Sequence, residues 1–560
     1  MTAINLFCRH FILILLLFCF AGCKSHPQNE ANNTSHPKIV NIINFIRLLE
    51  PRNEQITEDV LYQTVVKQVQ IMQQYDLPGT FLLQYDALMD TRYQQLLKSL
   101  PPSFETGAWW EIPQPLVEKA GLQWRGRYPW DWHADVGFST GYTPEEREKL
   151  ADVYMEDFKQ IFGYYPKSVG SWFIDAHTLN YLYEKYNIVA STNCKDQLGT
   201  DGYTLWGGYW NQAYYPSKIN AYMPAQTEKN QTPVPIFRML GSDPVRQYDD
   251  TGDGTNGQGV ITLEPASQSG GGDSAWVHWY FKAFVEGQSM EYAYVQAGQE
   301  NSFTWNAMAK GFEIQMPLIA RLRDEQKLKV ETLAASGEWF RKKYKVTPAT
   351  AVTVNNDLNG SDKKTVWFNS RFYRFNLLWE NNTLRFRDIH IFNENFPSVY
   401  TTQRATSNDC AFFTLPFFDG YRWSSADKPA ALRFRVISNG KAIPIEGGTP
   451  IISDDVPGKL HIEWPLTSAN GTLFMDADEE QIEIKIAGNK TPDWFLDLSA
   501  GDTASLPFTA ITPHTIHCRF EGMDYRVEAS KGNFVKPAGD AVIRIRPDKG
   551  TVVLHFAQQH

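Results

Sequence analysis

Apolar and polar positions follow two different rhythms along the chain, and the change between them falls near residue 345. From residue 38 to 345, short apolar runs of strand character alternate with stretches of helical periodicity. Residues 38–47 (KIVNIINFIR), 80–85 (TFLLQY), 105–110, 169–174 (VGSWFI), 188–193, 236–240 and 292–297 (YAYVQA) read as strands, with 330–334 as a last candidate. Residues 58–75, 92–100, 144–163, 176–186, 274–286 and 304–326 read as helices. The one at 144 starts on a proline and carries acids in its first turn. Seven or eight strand–helix repeats predict an α/β fold with a parallel sheet inside and helices outside. A closed (β/α)7–8 TIM-like barrel is the expected form, and an open doubly wound sheet is the alternative.

Beyond residue 345 short strands dominate, at 365–375, 383–392, 431–438, 459–464, 482–486, 516–520, 541–546 and 552–556. Turn pairs such as Asn359-Gly360, Asn439-Gly440 and Asn470-Gly471 separate them. Residues 346–560 therefore read as an all-β region of one or two sandwiches. At the other end, Arg9 and His10 precede an apolar run at 11–20 that is short for a membrane span. It leads into Phe20-Ala21-Gly22-Cys23, which resembles a bacterial lipobox with Phe in the usual Leu place. The expectation is a lipoprotein signal over 1–23, lipid on Cys23, a polar tether at 24–37 and a barrel over 38–345. Contact with the membrane would be through that anchor only, at the outer membrane, in the periplasm or on the cell surface.

Composition narrows the chemistry. The 560 residues carry 53 Lys and Arg against 63 Asp and Glu, a net charge of −10, which disfavours nucleic acid as a partner. Cys194, Cys410 and Cys518 are far apart and no CxxC occurs, so neither a disulfide framework nor a thiolate metal site is expected. No GxGxxG or GxxxxGK[ST] stands at a strand–helix junction and no GxSxG occurs, removing the main support for dinucleotide, P-loop and serine-esterase readings. Aromatic residues reach 14%, with 17 Trp and 26 Tyr. Such rings serve as platforms for sugars or as core filling.

In a barrel of this kind the working residues follow the strands at their carboxyl ends. That rule selects Arg47, Glu50 and Arg52 after the first strand, Asp86 after the second, and Trp109, Trp110 and Glu111 after the third, followed by the aromatic stretch 124–138. It then selects Asp175 after the fourth, Asp196 and Asp201 after the fifth, Asp243 after the sixth, and Glu300 and Asn301 after the seventh. Paired carboxylates among aromatic rings suit cleavage of a glycosidic bond, one donating a proton and the other attacking or activating water. Asp175 and Glu300 are the first candidates for that pair, then Glu111 and Asp243. Each has a structural alternative: a helix cap for Asp175, an ion pair with a rim arginine for Glu300, and a turn before Pro244 for Asp243. Trp109, Trp110, Trp132, Trp206 and Trp210 are the expected stacking residues for a carbohydrate substrate. Arg47 and Glu50 either contact it, for instance as a uronate, or pair with each other. No metal and no cofactor is expected. His133, His177 and His278 form no ligand motif, His514 and His517 point to opposite faces of a strand, and the acidic run 249–254 lacks the ligands of a calcium loop. Cys194 has no evident histidine partner as a nucleophile.

The segments NIINFIR, GTFLLQYDAL, FETGAWWEI and VGSWFIDAHTLNYLYEKYNI resemble, in order and type, the superfamily of glycoside hydrolase and polysaccharide-deacetylase barrels with seven parallel strands. The resemblance implies a carboxylate nucleophile after strand four and an acid near strand seven, positions that Asp175 and Glu300 match by strand count. The deacetylase branch has an Asp-Asp pair after strand one and two metal-binding histidines after strand three. Here Arg47–Glu50 and Trp109–Glu111 stand in those places. The whole mature chain also resembles a family of bacterial lipoproteins with a TIM-like barrel and a C-terminal β-domain, which brings no assigned activity with it. The expectation is a glycoside hydrolase. The alternatives are a non-catalytic glycan-binding lipoprotein and a metal-dependent carbohydrate deacetylase-like enzyme.

Overall fold

The computed structural model describes residues 36–248, 261–425, 427–438, 440–468, 471–488, 492–502, 504–537 and 540–558. The expected signal segment, Cys23, the tether up to residue 35 and the acidic run at 249–254 lie outside the described residues. Among those described, no helix is long and apolar enough to cross a membrane.

Seven parallel strands build the barrel wall: β1 (Lys38–Ile46), β2 (Gly79–Leu83), β3 (Phe104–Trp109), β4 (Ser168–Gly170), β5 (Ala190–Asn193), β6 (Ile236–Arg238) and β7 (Ala293–Ala297). They lie in the order β7-β1-β2-β3-β4-β5-β6, and Lys329–Glu331 pairs with the first residues of β1. Strand β1 is apolar on both faces, as burial on both sides requires. Ile39, Ile43 and Phe45 join Leu82, Trp109, Phe237 and Tyr294 in one cluster. Val40, Ile42 and Ile46 pack in another with Val65, Val69 and Met72 of the helix Glu58–Gln74.

Between β6 and β7 the wall is closed by a side chain. Ala213–Tyr214 pairs antiparallel with β6. Next to it, the Gln212 amide spans to β7, donating from Nε2 to Tyr294 O (3.3 Å) and accepting Tyr294 N at Oε1 (2.9 Å). Tyr292 Oη completes the bridge by donating to Ala213 O at 2.6 Å and accepting Ala213 N at 3.1 Å.

Helix ends follow local chemistry. Pro144–Phe162 opens with a Thr143/Glu146 capping box and ends on Gly163 at φ 86°. From Thr350 onward the regular structure among the described residues is strands plus one short 3₁₀ turn. Thr350–Val354, Lys364–Asn369, Tyr373–Glu380, Thr383–Ile391, Ala431–Ser438 and Trp494–Ser499 run through a ten-stranded sheet. Leu460–Leu466, Gly471–Ala477, Gln481–Ala487, Thr551–His555 and Met523–Lys531 run through an eight-stranded one. The two share an apolar core, with Tyr373 stacked on Phe556 at 4.4 Å. This β-region is tied into the barrel: Cys410–Phe413 pairs in parallel with Tyr203–Trp206, in the long excursion after β5.

Candidate active site

The carboxyl ends of β1, β2, β3 and β7 bring one cluster together. Arg47, the residue after β1, is held by its own backbone: its N–H donates to Asn301 Oδ1 (2.9 Å) and its carbonyl accepts Asn301 Nδ2 (2.8 Å). Its guanidinium grips Glu111, just beyond β3, with two hydrogen bonds, Nε to Oε2 at 2.8 Å and Nη2 to Oε1 at 2.7 Å. Nη1 meets Glu300, just beyond β7, as an ionic contact. The indole of Trp130 lies 4.3 Å from Arg47 Cζ. Arg52 grips Glu50 with Nε and Nη2, both at 2.7 Å, and faces Trp130 and Trp132 at 5.2 Å each.

Electrostatics in this cluster are uneven. Burial pushes the Glu300 carboxyl up to about 7, with the Glu111 charge adding to the effect and Arg47 opposing it. Asp86, after β2, is also pushed up to about 7 by burial, although the N–H groups of Ala87 and Leu48 favour its charged form. Burial opposes the charge on Arg47, but Glu111 and Glu300 outweigh that and raise its pKa. Burial likewise opposes ionisation of Glu50, and Arg52 and Arg47 reverse it. Several buried polar atoms near these strand ends have no hydrogen-bond partner: both amide atoms of Gln84, Asp86 Oδ2, the indole nitrogens of Trp109, Trp110 and Trp130, and Gln299 Nε2. Buried polar groups are normally satisfied, and these are left without a partner among the described residues. Arg47, Glu111 and Glu300 are only 2%, 1% and 4% exposed, so the cluster is closed over. Its margin is open at Arg52 and Asp201, whose side chains are 34% and 42% exposed. There Tyr128 stacks on Trp132 at 5.9 Å.

Other candidates go elsewhere. Asp175 is not brought to Glu300. Its Oδ1 accepts Arg147 Nη1 and Thr178 N, both at 2.9 Å, and its Oδ2 accepts the hydroxyls of Ser139 and Thr178, both at 2.6 Å. With both oxygens taken, it caps the helix Ala176–Tyr186 and neutralises an arginine that also binds the carbonyls of Tyr400 and Gln403. Asp243 accepts Val245 N, Arg246 N and Trp276 Nε1, which makes it a turn and a core anchor.

The expected stacking role is corrected for four of the five tryptophans, because burial leaves them no face for a sugar. Trp109 stacks on Phe45 at 3.8 Å inside the barrel, and Trp110 packs against Tyr154. Trp206 donates Nε1 to Asp419, and Trp210 stacks on Trp367 at 4.1 Å where barrel and β-region meet. Only Trp132 is half-buried at the rim. Asp86 and Asn301, selected by position after their strands, belong to the cluster, and so does Trp130, of which no role was expected; its signal was its place within the aromatic stretch 124–138.

A catalytic metal of the deacetylase kind does not fit these residues. Among those described, no group of three or more His, Cys, Asp or Glu is placed to hold an ion. Arg47 sets a guanidinium between the two carboxylates, where a cation would otherwise balance them. Asp131, beside His133, is taken up by Arg127 and by the backbone N–H of His133.

No protein-family model matches the chain, and no curated protein matches it significantly. Solved structures do align with it. A protein named provisionally as a glycoside hydrolase/deacetylase, from Parabacteroides distasonis, aligns at 15% identity over 68% of this chain and 89% of its own, with a TM-score of 0.49. A provisionally named polysaccharide deacetylase from Mycobacterium smegmatis aligns at 13% identity over 56% of this chain and 93% of its own, with a TM-score of 0.36. A 4-alpha-glucanotransferase from Thermococcus litoralis aligns at 8% identity over 94% of this chain and all of its own, with a TM-score of 0.29. The chain is thus similar to polysaccharide deacetylases and glycoside-hydrolase-like proteins, at a depth that leaves its chemistry to its own side chains.

Proposed function

We propose that the barrel is a carbohydrate-active enzyme that cleaves glycosidic bonds, with Glu300 as the acid and Glu111 as the second carboxylate. One observation carries this reading: two carboxyl groups from opposite flanks of β1 meet at a single arginine, and burial poises one of them near neutrality. An acid with a pKa near the working pH is the effective proton donor to a leaving sugar oxygen. Glu111, oriented by the two-pronged grip of Arg47, would attack the anomeric carbon or activate a water. A substrate would enter past Arg52, Asp201 and Trp132 and displace Nη1 of Arg47 from Glu300, leaving the Glu111 pair intact. The same reading places the mature chain on a lipid at Cys23, outside the cytoplasm. Metabolic labelling with a fatty acid, lost in Cys23→Ala, checks that part.

The test of the chemistry is Glu300→Gln, assayed on a panel of aryl glycosides and by reducing-sugar release from polysaccharides. A fall of about 10²–10⁴ in turnover with the fold intact is expected. Wild-type turnover in both Glu300→Gln and Glu111→Gln would overturn the assignment. A second reading, a barrel that binds glycan without cleaving it, is favoured by the guanidinium that fills the space between the two carboxylates. Glycan binding with no turnover on any substrate would select it.

A further inference from the structure

Beside the acid–arginine cluster lies a cleft of about 590 Å³ that the proposed chemistry does not use. One wall is the outer face of the helix Glu58–Gln74 and the loop before it, and the other is the loop that follows β7. Two rings line it, Phe303, which is 37% exposed, and the half-buried Trp305. The side-chain amides of Gln55, Gln63 and Asn306 line it as well, all exposed and without a hydrogen bond to any described residue. Its ionic groups are Asp59 and Lys67, whose charges cancel. Between the rings stands Thr304 at φ 65°, ψ 153°, a conformation that a β-branched residue adopts only under constraint. The N–H of Trp305 donates to Thr64 Oγ1 at 3.0 Å and ties the strained loop to the helix.

Each feature narrows the ligand. A phosphate or polyanion needs excess positive charge, and this cleft has none. A cation needs several oxygen ligands of full charge, and here there is one carboxylate. A lipid chain needs a continuous apolar wall, which the amides interrupt. Flat rings beside planar amides suit a ring that is apolar on its faces and hydroxylated at its edge. We propose that this cleft is a binding subsite for a neutral glycan chain, which names the substrate class of the hydrolase reading above and rests on it. Phe303 lies three residues after Glu300, and Asn53 lies next to Arg52. The two loops that hold the sugar are therefore the two that carry the acid and the rim arginines.

The test measures binding by titration calorimetry to the mature chain, with Glu300→Gln as the background so that no probe is consumed. The probes are xylohexaose, cellohexaose and mannohexaose as neutral chains and hexagalacturonate as the charged one. At least one neutral hexasaccharide should bind, and Phe303→Ala or Gln63→Ala should weaken it at least tenfold with an unchanged thermal midpoint. Both positions are exposed, which protects the test from misfolding; Trp305→Ala is the confirming variant. Unchanged binding in both variants, preference for hexagalacturonate, or no binding of any probe overturns the subsite. Wild-type turnover is read separately. Binding that depends on Phe303 without turnover removes the hydrolase reading and keeps the cleft, whereas turnover with Phe303-independent binding does the reverse.

Discussion

The seam between barrel and β-region and the rim of the barrel each bury a cluster of charged side chains. At the seam, Asp196, beyond β5, accepts Arg238 Nη2 at 2.8 Å and Arg374 Nη1 at 2.7 Å. Arg374 Nη2 also reaches Asp388 at 2.9 Å, and Asp419 accepts Trp206 Nε1 at 2.7 Å while facing His390. Burial opposes the charge on Asp196 and Asp419, but their partners win: Asp196 lies below its usual range and Asp419 is brought down to about 2. At the rim, Glu50, Asp86, Glu111 and Glu300 lie around Arg47 and Arg52; the arginines hold Glu50 below its usual range, but for Asp86 and Glu300 the balance reverses and both are brought up to about 7. The same two forces, desolvation and pairing, thus lock charge in place at one site and leave a proton exchangeable near neutrality at the other. A buried ion pair is weak evidence of function in itself; an excess of one sign around it is stronger.

The comparison breaks most sharply at the arginines. Arg374→Met would leave Asp196 and Asp388 buried without that partner, and should cost on the order of 5 kcal/mol in denaturant unfolding at pH 6. Arg47→Met should cost clearly less at the same pH, because Glu300, brought up to about 7, already holds its proton in most molecules there. Equal losses would show that the rim is as locked as the seam.

Asp175→Asn probes a third buried pair. It leaves the Arg147 charge unpaired while preserving much of the cap, so a loss of about 3–4 kcal/mol is expected. Turnover per folded molecule should stay within a few-fold of wild type, about 1 kcal/mol in barrier terms. A collapse of turnover at unchanged stability would return Asp175 to the chemistry and detach Glu300 from Glu111.

Stability against pH sharpens the contrast next. Glu300 has a usual value of 4.5 and a folded value of about 7, so the folded state holds the proton more tightly than the unfolded chain. Its contribution is full below pH 4.5 and is lost as pH rises to about 7, a change of roughly 3 kcal/mol. Unfolding free energies measured across that window should fall with pH, and Glu300→Gln should flatten the fall. Asp419, brought down to about 2, works in the opposite sense and only in strong acid.

These differences also explain what could be read along the chain. Residues 176–186 and 274–286 were legible as helices, and Ala176–Tyr186 and Ser274–Glu286 form them, because Asp175 and Asp273 cap them with local signals. Barrel strands were legible from both-face apolar runs such as β1. The excursion after β5 was not, since its strands are two to five residues long and too short to show a period. The single strand read at 365–375 is two, Lys364–Asn369 and Tyr373–Glu380. Its turn has no glycine or proline; instead Ser370 Oγ accepts the N–H groups of Phe372 and Tyr373. Arg47, Glu50, Glu111 and Glu300 were selectable because an acid or arginine just past a parallel strand lands on the rim. Asp175 shares that position and does a different job, since one local signal serves both catalyst and cap. The tryptophans were not separable, because ring burial depends on partners such as Phe45, Tyr154 and Trp367 that are remote in sequence.

The smallest expected effect tests whether strain, too, belongs to the rim. Among the described residues with positive φ, Thr304 is the one β-branched side chain, and its ψ of 153° places it where only glycine is at ease. Such a residue stores about 1–3 kcal/mol, while glycine loses up to about 1 kcal/mol through the greater freedom of its unfolded chain. Thr304→Gly should therefore stabilise the protein by about 1 kcal/mol in denaturant unfolding. It should also loosen the loop between Glu300 and Trp305, so affinity for a neutral hexasaccharide should drop a few-fold as the midpoint rises. Stability and binding moving in opposite directions would mark Thr304 as strained for the sake of the site. If both fell together, the unusual conformation would be a packing solution that happens to lie beside the rim.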